Sequence, residues 1–171
     1  MAKLGETLGN PVLYRIATAF GYGARSGVDI PGEAPGKLLP VTRWTSYDTV
    51  RLPFGQGQIM VTALQLANGF ATIANGGTLY KPYVIDRVIT PDGRIVYQGN
   101  SQNIRRVISQ AVARQFVDEV LVNVVEQGTG KEAKSDYWKL FGKTGTAQIG
   151  GPGGYADRAF TGTFVGGGPG S

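Results

Sequence analysis

The spacing of apolar residues changes several times along the chain, and each change marks the boundary of a predicted element. Near the start of the chain, the apolar residues recur at the spacing of a helix. Residues 1–8 predict a short helix that ends at Gly9, and Asn10 and Pro11 are a good N-cap and first residue for a second helix. The apolar face of that second helix consists of Leu13, Ile16, Ala17 and Phe20.

Residues 60–75 predict another helix, which Thr62 can cap and which Asn75-Gly76-Gly77 ends. It carries a narrow stripe of small apolar residues, namely Leu64, Ala67, Ala71 and Ala74. Because small side chains allow a neighbouring element to approach closely, we expect this helix to be largely buried.

A further long helix is predicted to begin at Ser109 and to end at Gln127-Gly128. Its core face is predicted to consist of Val112, Phe116, Val117, Val120, Leu121 and Val124. Residues 129–136 then connect this helix to the next element, which is a strand.

Two hairpins are predicted from alternating positions and turn residues. Residues 83–90 and 94–98 alternate on either side of Pro91-Asp92-Gly93, which has strong turn chemistry. The apolar run 137–141 has the composition of a strand and leads into residues 142–148. The Gly-Pro-Gly-Gly sequence at 151–154 is typical of a hairpin loop, and a second strand is predicted over 158–165.

Residues 21–44 contain glycines and prolines throughout and predict one long loop. Loops of this length inside a compact domain are usually functional or tightly packed. The chain has 27 glycines among its 171 residues, well above the usual share of about 7%. They cluster between periodic segments, so they indicate loops and not a low-complexity chain.

Composition narrows the classes of function. A length of 171 residues suits one domain with a real core. The net charge of +5 comes from scattered residues, which does not favour a nucleic-acid partner. The chain has no histidine and no cysteine, which excludes thiol catalysis, a histidine base and the usual zinc sites, and no cofactor is expected. The sequence contains no signal peptide and no apolar run of the roughly 20 residues needed to cross a bilayer.

The stretch with the clearest candidate chemistry is Lys143-Thr144-Gly145-Thr146. Lysine offers a fixed cation, threonine a hydroxyl donor, and glycine lets a ligand approach the backbone. At a sheet edge, such a strand can pair with an extended, peptide-like ligand. The phosphate-binding pattern G-x-x-x-x-G-K-[ST] is disfavoured because Tyr137 stands where it requires glycine. An ordinary hairpin, with glycines that only make the turn, remains open on composition alone.

Three blocks of sequence resemble the penicillin-binding proteins, the serine D,D-transpeptidases that cross-link peptidoglycan, and most closely their class B, monofunctional members. The first block resembles the family's third motif and is Lys143-Thr144-Gly145-Thr146-Ala147-Gln148, with Gly128-Thr129-Gly130 and Phe141-Gly142 before it. The other two blocks are Phe54-Gly55-Gln56-Gly57 with residues 61–67 and 71–77, and Phe20-Gly21-Tyr22-Gly23 with residues 27–33 and Gly36.

The resemblance implies an α+β fold of the penicillin-binding and β-lactamase type, with a helical portion and part of an antiparallel sheet. It also implies roles for four residues. Lys143 and Thr144 would face the active serine and hold the substrate carboxylate, Gly145 would keep the strand open, and the Thr146 backbone N–H would be an oxyanion donor. The Thr146 hydroxyl would also contact the carboxylate. The implied ligands are the D-Ala-D-Ala stem peptide and β-lactams. The loop 21–44 would be a buttress beside the cleft.

The nucleophile motif S-x-x-K of that family is absent, because no serine in the chain has a lysine three residues later. Ser101-Gln102-Asn103 matches the second motif, S-x-N, but lies too close to Lys143; we predict a polar turn there. We therefore expect residues 1–171 to be a C-terminal fragment of one transpeptidase domain, inactive alone, with the nucleophile-bearing part before it and a strand and helix after it. Asp157 and Arg158 are expected to be surface charges.

Two alternatives remain for the function. One is a serine β-lactamase or β-lactam sensor on the same fold, and the other is a non-catalytic scaffold module of the cell-wall machinery. The resemblance implies a location outside the cytoplasmic membrane, on its periplasmic side, with the membrane anchor outside this chain. It does not separate a role in cell division from a role in elongation and cell shape.

Overall fold

The computed structural model describes the backbone of residues 1–151 and 154–168 and the side chains of residues 1–149 and 159–168. The helices are α1 (Ala2–Ala19), α2 (Ser46–Arg51), α3 (Ala63–Ala74), α4 (Gln110–Gln115) and α5 (Val122–Glu126), with a π-helical segment over Phe116–Leu121. Short 3₁₀ turns span Val41–Arg43, Leu52–Phe54 and Lys131–Ala133. The strands are β1 (Lys37–Leu38), β2 (Ile59–Met60), β3 (Thr78–Lys81), β4 (Arg87–Ile89), β5 (Ile95–Gln98), β6 (Gln102–Arg106), β7 (Phe141–Gly151) and β8 (Gly154–Gly167).

The predicted break at Gly9 is confirmed. Gly9 has φ 73° and ψ 163° inside α1, so two helical segments meet there at a kink. A positive φ of this size is easy only for glycine. Leu13 and Ala17 of the predicted apolar face are buried, whereas Ile16 is exposed. No helix of the part of the chain that the structure describes is long and apolar enough to cross a membrane.

The helix α3 exists as predicted, but its buried face is a different one. Thr62 caps it, and its side chain accepts a hydrogen bond from the Gln65 amide at 3.1 Å. The predicted stripe is wrong, because Ala67, Ala71 and Ala74 are exposed and Leu64 is only partly buried. The buried residues are Gln65, Gly69 and Thr72.

The reason is that hydrogen bonding makes a polar side chain compatible with burial. Gln65 is 3% exposed, and its Nε2 donates to the carbonyls of Ala24 at 2.7 Å and Pro35 at 2.9 Å. These bonds tie α3 to the loop 21–44, which the structure confirms as irregular apart from β1 and the 3₁₀ turn. Gly69 lies against the partly buried ring of Tyr22, and desolvation raises the pKa of the Tyr22 hydroxyl.

The helix predicted from Ser109 is confirmed, and Ser109 Oγ accepts a hydrogen bond from the Val112 amide at 3.3 Å. Its predicted core face is confirmed only in part: Leu121 is buried, and Val117 and Val124 are partly buried. Val112, Phe116 and Val120 are exposed, and the residues that are buried are Ala113, Leu121, Val122 and Val125. The wider turn of the π-helical segment rotates the side chains that follow it relative to a regular α-helix, and there Val122 and Val125 are the buried residues.

The described strands form four antiparallel pairs, β1 with β2, β3 with β6, β4 with β5, and β7 with β8. The hairpin at Pro91-Asp92-Gly93 is confirmed, with shorter strands than predicted. The predicted polar turn at Ser101-Gln102-Asn103 is wrong, because Gln102 and Asn103 lie in β6 opposite Lys81 and Tyr80. Polar residues can occupy this strand because both its faces are exposed to solvent.

The main hairpin is also longer and starts later than predicted. β7 begins at Phe141, so residues 137–140 are not a strand. Ser135 Oγ accepts hydrogen bonds from the amides of Tyr137 at 3.2 Å and Trp138 at 3.3 Å, and such a local turn competes with strand pairing. Gly151 pairs with Gly154. The predicted loop residues Pro152 and Gly153, and the side chains of Asp157 and Arg158, lie outside the described ones.

Candidate functional site

The four candidate residues lie on consecutive positions of β7 and pair in regular register with β8. Lys143 is opposite Val165, Thr144 opposite Phe164, Gly145 opposite Thr163, and Thr146 opposite Gly162. β7 is long and its pairing with β8 is regular over these four residues. The pairing therefore fixes the positions of their backbone N–H and C=O groups.

Two of the glycines in this region are required by close contacts. At Gly142, which is buried, a Cβ atom would lie 2.6 Å from the Phe164 ring. At Gly145, a Cβ atom would lie 2.5 Å from Thr163 Oγ1, which donates to the Gly145 carbonyl at 3.4 Å. Gly145 therefore leaves space for the Thr163 hydroxyl, besides its predicted role of leaving the strand open to a ligand.

Two side-chain hydrogen bonds indicate which way the backbone carbonyls of β7 point. Lys143 Nζ donates to the Thr144 carbonyl at 2.7 Å, and Gln56 Nε2 approaches the Thr146 carbonyl at 3.5 Å. In an antiparallel pair, alternate residues direct both N–H and C=O away from the partner strand. We therefore assign the N–H and C=O groups of Thr144 and Thr146 to the edge of β7 that faces away from β8.

That edge is open. Among the described strands, β7 pairs with β8 alone. The Thr144 and Thr146 amides can thus donate to an added ligand, and an extended peptide can pair with such an edge as a further strand.

A second hydroxyl lies beside the strand. Thr129 Oγ1 and Thr144 Oγ1 are 2.6 Å apart and share a hydrogen bond. Thr129 belongs to the loop that follows α5, and the Gly130 amide of that loop donates to the Val124 carbonyl at 2.9 Å. The end of α5 therefore holds this loop next to β7.

The electrostatics of the site favour an anionic ligand. Lys143 is exposed, and no carboxylate of the described side chains forms an ion pair with it. A cation, two threonine hydroxyls and backbone N–H groups together are donors of the type that binds a carboxylate. The described residues contain no group of three acidic residues that could hold a metal ion.

The structure brings Lys143, Thr144, Gly145 and Thr146 together, and adds two residues to them. Gln56 belongs to the Phe54-Gly55-Gln56-Gly57 block, and its approach to Thr146 could not be read from the sequence. Thr129 lies in Gly128-Thr129-Gly130, which the sequence comparison with the penicillin-binding proteins had already singled out, although its contact with Thr144 was not foreseen. Neither position carries a periodic or compositional signal of its own.

The β7–β8 pair packs on helices and presents a basic, hydroxyl-rich open edge, which suits an extended ligand with an anionic group. Residues 1–169 match the family model described as the penicillin-binding protein transpeptidase domain. This chain belongs to that family, and it is part of a transpeptidase domain.

Curated relatives agree with this assignment. The chain is 36% identical to penicillin-binding protein PbpB of Mycolicibacterium smegmatis, over 95% of this chain and 26% of the relative. It is 34% identical to stage V sporulation protein D of Bacillus subtilis, over 96% of this chain and 25% of the relative. The chain thus spans about a quarter of the length of these proteins.

A solved structure shows the same fold. The crystal structure of penicillin-binding protein 3 from Mycobacterium tuberculosis, complexed with ampicillin, aligns with a TM-score of 0.87 and 35% identity. The alignment covers 96% of this chain and 38% of that one. The predicted α+β fold is confirmed, and the neighbours are transpeptidase domains of penicillin-binding proteins.

Proposed function

We propose that this chain supplies the carboxylate-binding and oxyanion side of a serine D,D-transpeptidase site. The observation that carries the proposal is the open edge of β7, where Lys143, the hydroxyl of Thr144 and the backbone of Thr146 lie together. A stem peptide ending in D-Ala-D-Ala is extended and carries a terminal carboxylate, so it fits an edge that offers both backbone pairing and a cation.

The reaction needs a serine that this chain does not supply. In the proposed mechanism, the hydroxyl of that serine loses its proton to a nearby base and attacks the carbonyl between the two D-alanines. The bond to the terminal D-alanine breaks, its nitrogen takes up a proton, and an acyl-serine ester remains. The amine of a second stem peptide then attacks this ester, loses a proton and forms the cross-link.

The role proposed for Thr146 is to stabilise the oxygen that becomes negative during each attack. The Thr146 N–H points to the open edge, and the second donor would be the amide of the serine. One such donor is worth about 3 kcal/mol in the transition state. The Thr146 hydroxyl would contact the substrate carboxylate beside that of Thr144.

The proposed role of Lys143 is to hold the substrate carboxylate and to face the active serine, with Gly145 leaving room beside it. A β-lactam carries a carboxylate next to a strained amide, so it would enter the same site and acylate the same serine. The protein that contains this chain is proposed to act on peptidoglycan from a membrane anchor on the periplasmic side of the cytoplasmic membrane, in division or elongation.

Labelling with a fluorescent penicillin tests the proposal. We expect the complete protein to form a covalent adduct and the isolated 171-residue chain to form none, because it lacks S-x-x-K. In the complete protein, Lys143→Ala should slow acylation by at least roughly 30-fold, as expected for loss of about 2 kcal/mol or more at a charge pair. Lys139→Ala removes an exposed lysine four residues earlier and should leave the rate unchanged.

Stopped-flow or gel-based measurement of the acylation rate distinguishes the outcomes. An unchanged rate in Lys143→Ala would show that Lys143 is an ordinary strand lysine. An adduct on the isolated chain, at Ser101 or at any other serine, would show that the nucleophile has been placed wrongly.

A further inference from the structure

Thr129 and Thr144 share a hydrogen bond, but the proposed function gives a role only to Thr144. The two hydroxyl oxygens are 2.6 Å apart, within the usual range for a hydrogen bond between hydroxyls. Thr144 lies on a strand and Thr129 on a loop 15 residues earlier, so no local turn forces the contact.

The position of Thr129 is set by tightly packed glycines on both sides. A Cβ atom at Gly128 would lie 2.9 Å from the Val124 backbone. A Cβ atom at Gly130, which is buried, would lie 3.2 Å from the Val124 carbonyl and 3.4 Å from the Phe164 ring. Phe164 is in turn the cross-strand partner of Thr144. The loop therefore fits against the end of α5 and against β8 at once, and this leaves Thr129 in one place relative to Thr144.

We propose that Thr129 is a positioning residue for the Thr144 hydroxyl, an inference that rests on the proposed function of Thr144 as a carboxylate donor. A hydroxyl has one proton to donate and can accept two hydrogen bonds. When Thr129 donates to Thr144 Oγ1, the Thr144 proton is left for the substrate carboxylate. The resulting chain, Thr129 to Thr144 to carboxylate, also polarises each bond in the series.

If the hydrogen bond runs in the opposite direction, it weakens the binding of the substrate. Thr144 would then donate its proton to Thr129 and would have none for the ligand. A carboxylate at the open edge selects the productive direction because it accepts hydrogen bonds and cannot donate them. An ionised carboxylate is favoured over a neutral acceptor at that point because a hydrogen bond to a charged oxygen is the stronger one.

The test is the second-order acylation rate of the complete transpeptidase with benzylpenicillin and with its methyl ester, which lacks the negative charge. With benzylpenicillin, Thr129→Val should lower the rate about 10-fold, the effect of one hydrogen bond to a charge-binding donor. Thr129→Ser keeps the hydroxyl and should stay within about twofold of the unmodified protein. With the ester, which offers only a neutral acceptor, the loss in Thr129→Val should be clearly smaller than with benzylpenicillin.

A double variant tests the route through Thr144. If Thr129 acts through Thr144, then Thr129→Val should add little to the loss caused by Thr144→Val. Additive losses, an equal loss with the ester, or a Thr129→Ser variant as slow as Thr129→Val would each overturn the inference. Thr129→Ala replaces Thr129→Val if the melting temperature shows that the extra methyl disturbs the fold.

Failure of this inference is distinguishable from failure of the proposed function. If Lys143→Ala acylates normally, the proposed carboxylate site itself is wrong, whatever Thr129 does. If Lys143→Ala is slow and Thr129→Val is normal, the site stands and only the positioning role of Thr129 falls.

Discussion

At the scale of single residues, the site depends on its glycines, which have no side chain, as much as on the side chains that contact a ligand. The Phe164 ring lies where the side chain of Gly142 would be, Thr163 Oγ1 lies where that of Gly145 would be, and Val124 lies close to the Cβ position of Gly130. The strand that carries Lys143 can thus lie close to β8 and to the loop after α5. Its glycines are required by packing, apart from any contact with a ligand.

A pair of glycine substitutions in this hairpin tests that conclusion. Gly142→Ala should lower the free energy of unfolding of the complete domain by about 1–3 kcal/mol, because the new methyl overlaps the Phe164 ring. Gly162→Ala is the matched control in the partner strand, since no atom of the described residues lies within 4 Å of its Cβ position. It should change stability by no more than about 1 kcal/mol. Urea denaturation followed by fluorescence measures both, and equal effects would contradict the packing argument.

At the scale of elements, polar side chains hold the long loop 21–44 in place. Asp29 accepts hydrogen bonds from the amides of Val84 at 2.8 Å and Ile85 at 3.0 Å, ahead of β4. Glu33 accepts from the Ser26 amide and hydroxyl, both at 2.6 Å, and from the Gly27 amide at 3.0 Å. The carboxylates of Asp29 and Glu33 therefore hold the loop in place, and these hydrogen bonds depend on the carboxylates being ionised.

The pKa shifts of these two groups have the same sign. Hydrogen bonds from the Val84 and Ile85 amides, together with the nearby Lys81 cation, hold the pKa of Asp29 below its usual value despite a smaller opposing effect of desolvation. For Glu33, desolvation opposes the change, but the hydrogen bonds from Ser26 and Gly27 lower its pKa overall. A lowered folded-state pKa means that each group stabilises the fold above its unfolded pKa, about 4, and that this contribution is lost as the pH falls through the folded value.

Asp29→Asn should therefore lower the melting temperature of the complete domain at pH 7, where the carboxylate is ionised. The difference from the unmodified protein should shrink as the pH is lowered below about 4, where Asp29 itself becomes protonated. Asp92→Asn is the matched control, because among the described side chains the Asp92 carboxylate has no hydrogen-bond or ion-pair partner. Thermal melts between pH 3 and pH 7 make the comparison, and a pH-independent difference for Asp29→Asn would contradict it.

At the scale of the whole molecule, large apolar side chains lie on the surface around the main hairpin. Tyr137 is 89% exposed, Trp138 62%, Phe160 54% and Phe164 48%, while Leu140 and Val165 are partly buried. These residues therefore leave apolar area uncovered. Each large side chain left in water forgoes roughly 1.5–3 kcal/mol. Three or four of them forgo a large part of a typical net stability of 5–15 kcal/mol.

The isolated 171-residue chain is therefore expected to self-associate through the β7–β8 hairpin, because among the described strands each of the two pairs only with the other. Phe160→Lys places a charge on the exposed face of β8 and should reduce the apparent mass. Ile30→Lys changes an exposed residue of the loop 21–44, and association should persist. Size-exclusion chromatography with light scattering gives the mass, and a thermal melt gives the cooperativity. A dilute monomer with a sharp melt would show that this chain closes a core by itself.

The sequence by itself determined the elements whose signals are local. The break at Gly9, the caps at Thr62 and Ser109, the turn at Pro91-Asp92-Gly93 and the placement of Lys143 to Thr146 on a strand each depend on residues a few positions apart. The family could also be assigned from three short blocks of residues, because backbone conformation and motif identity are carried by adjacent side chains.

Only the tertiary structure decided which faces are buried and which distant residues meet. Gln65 is buried because carbonyls 30 and 41 residues away accept its hydrogen bonds. After the π-helical segment, Val122 and Val125 are buried, although the predicted face continued at Val124. Thr129 reaches Thr144 because glycines let a loop settle between α5 and β8. Each of these outcomes depends on long-range packing and hydrogen bonding, and apolar periodicity within one segment does not encode them.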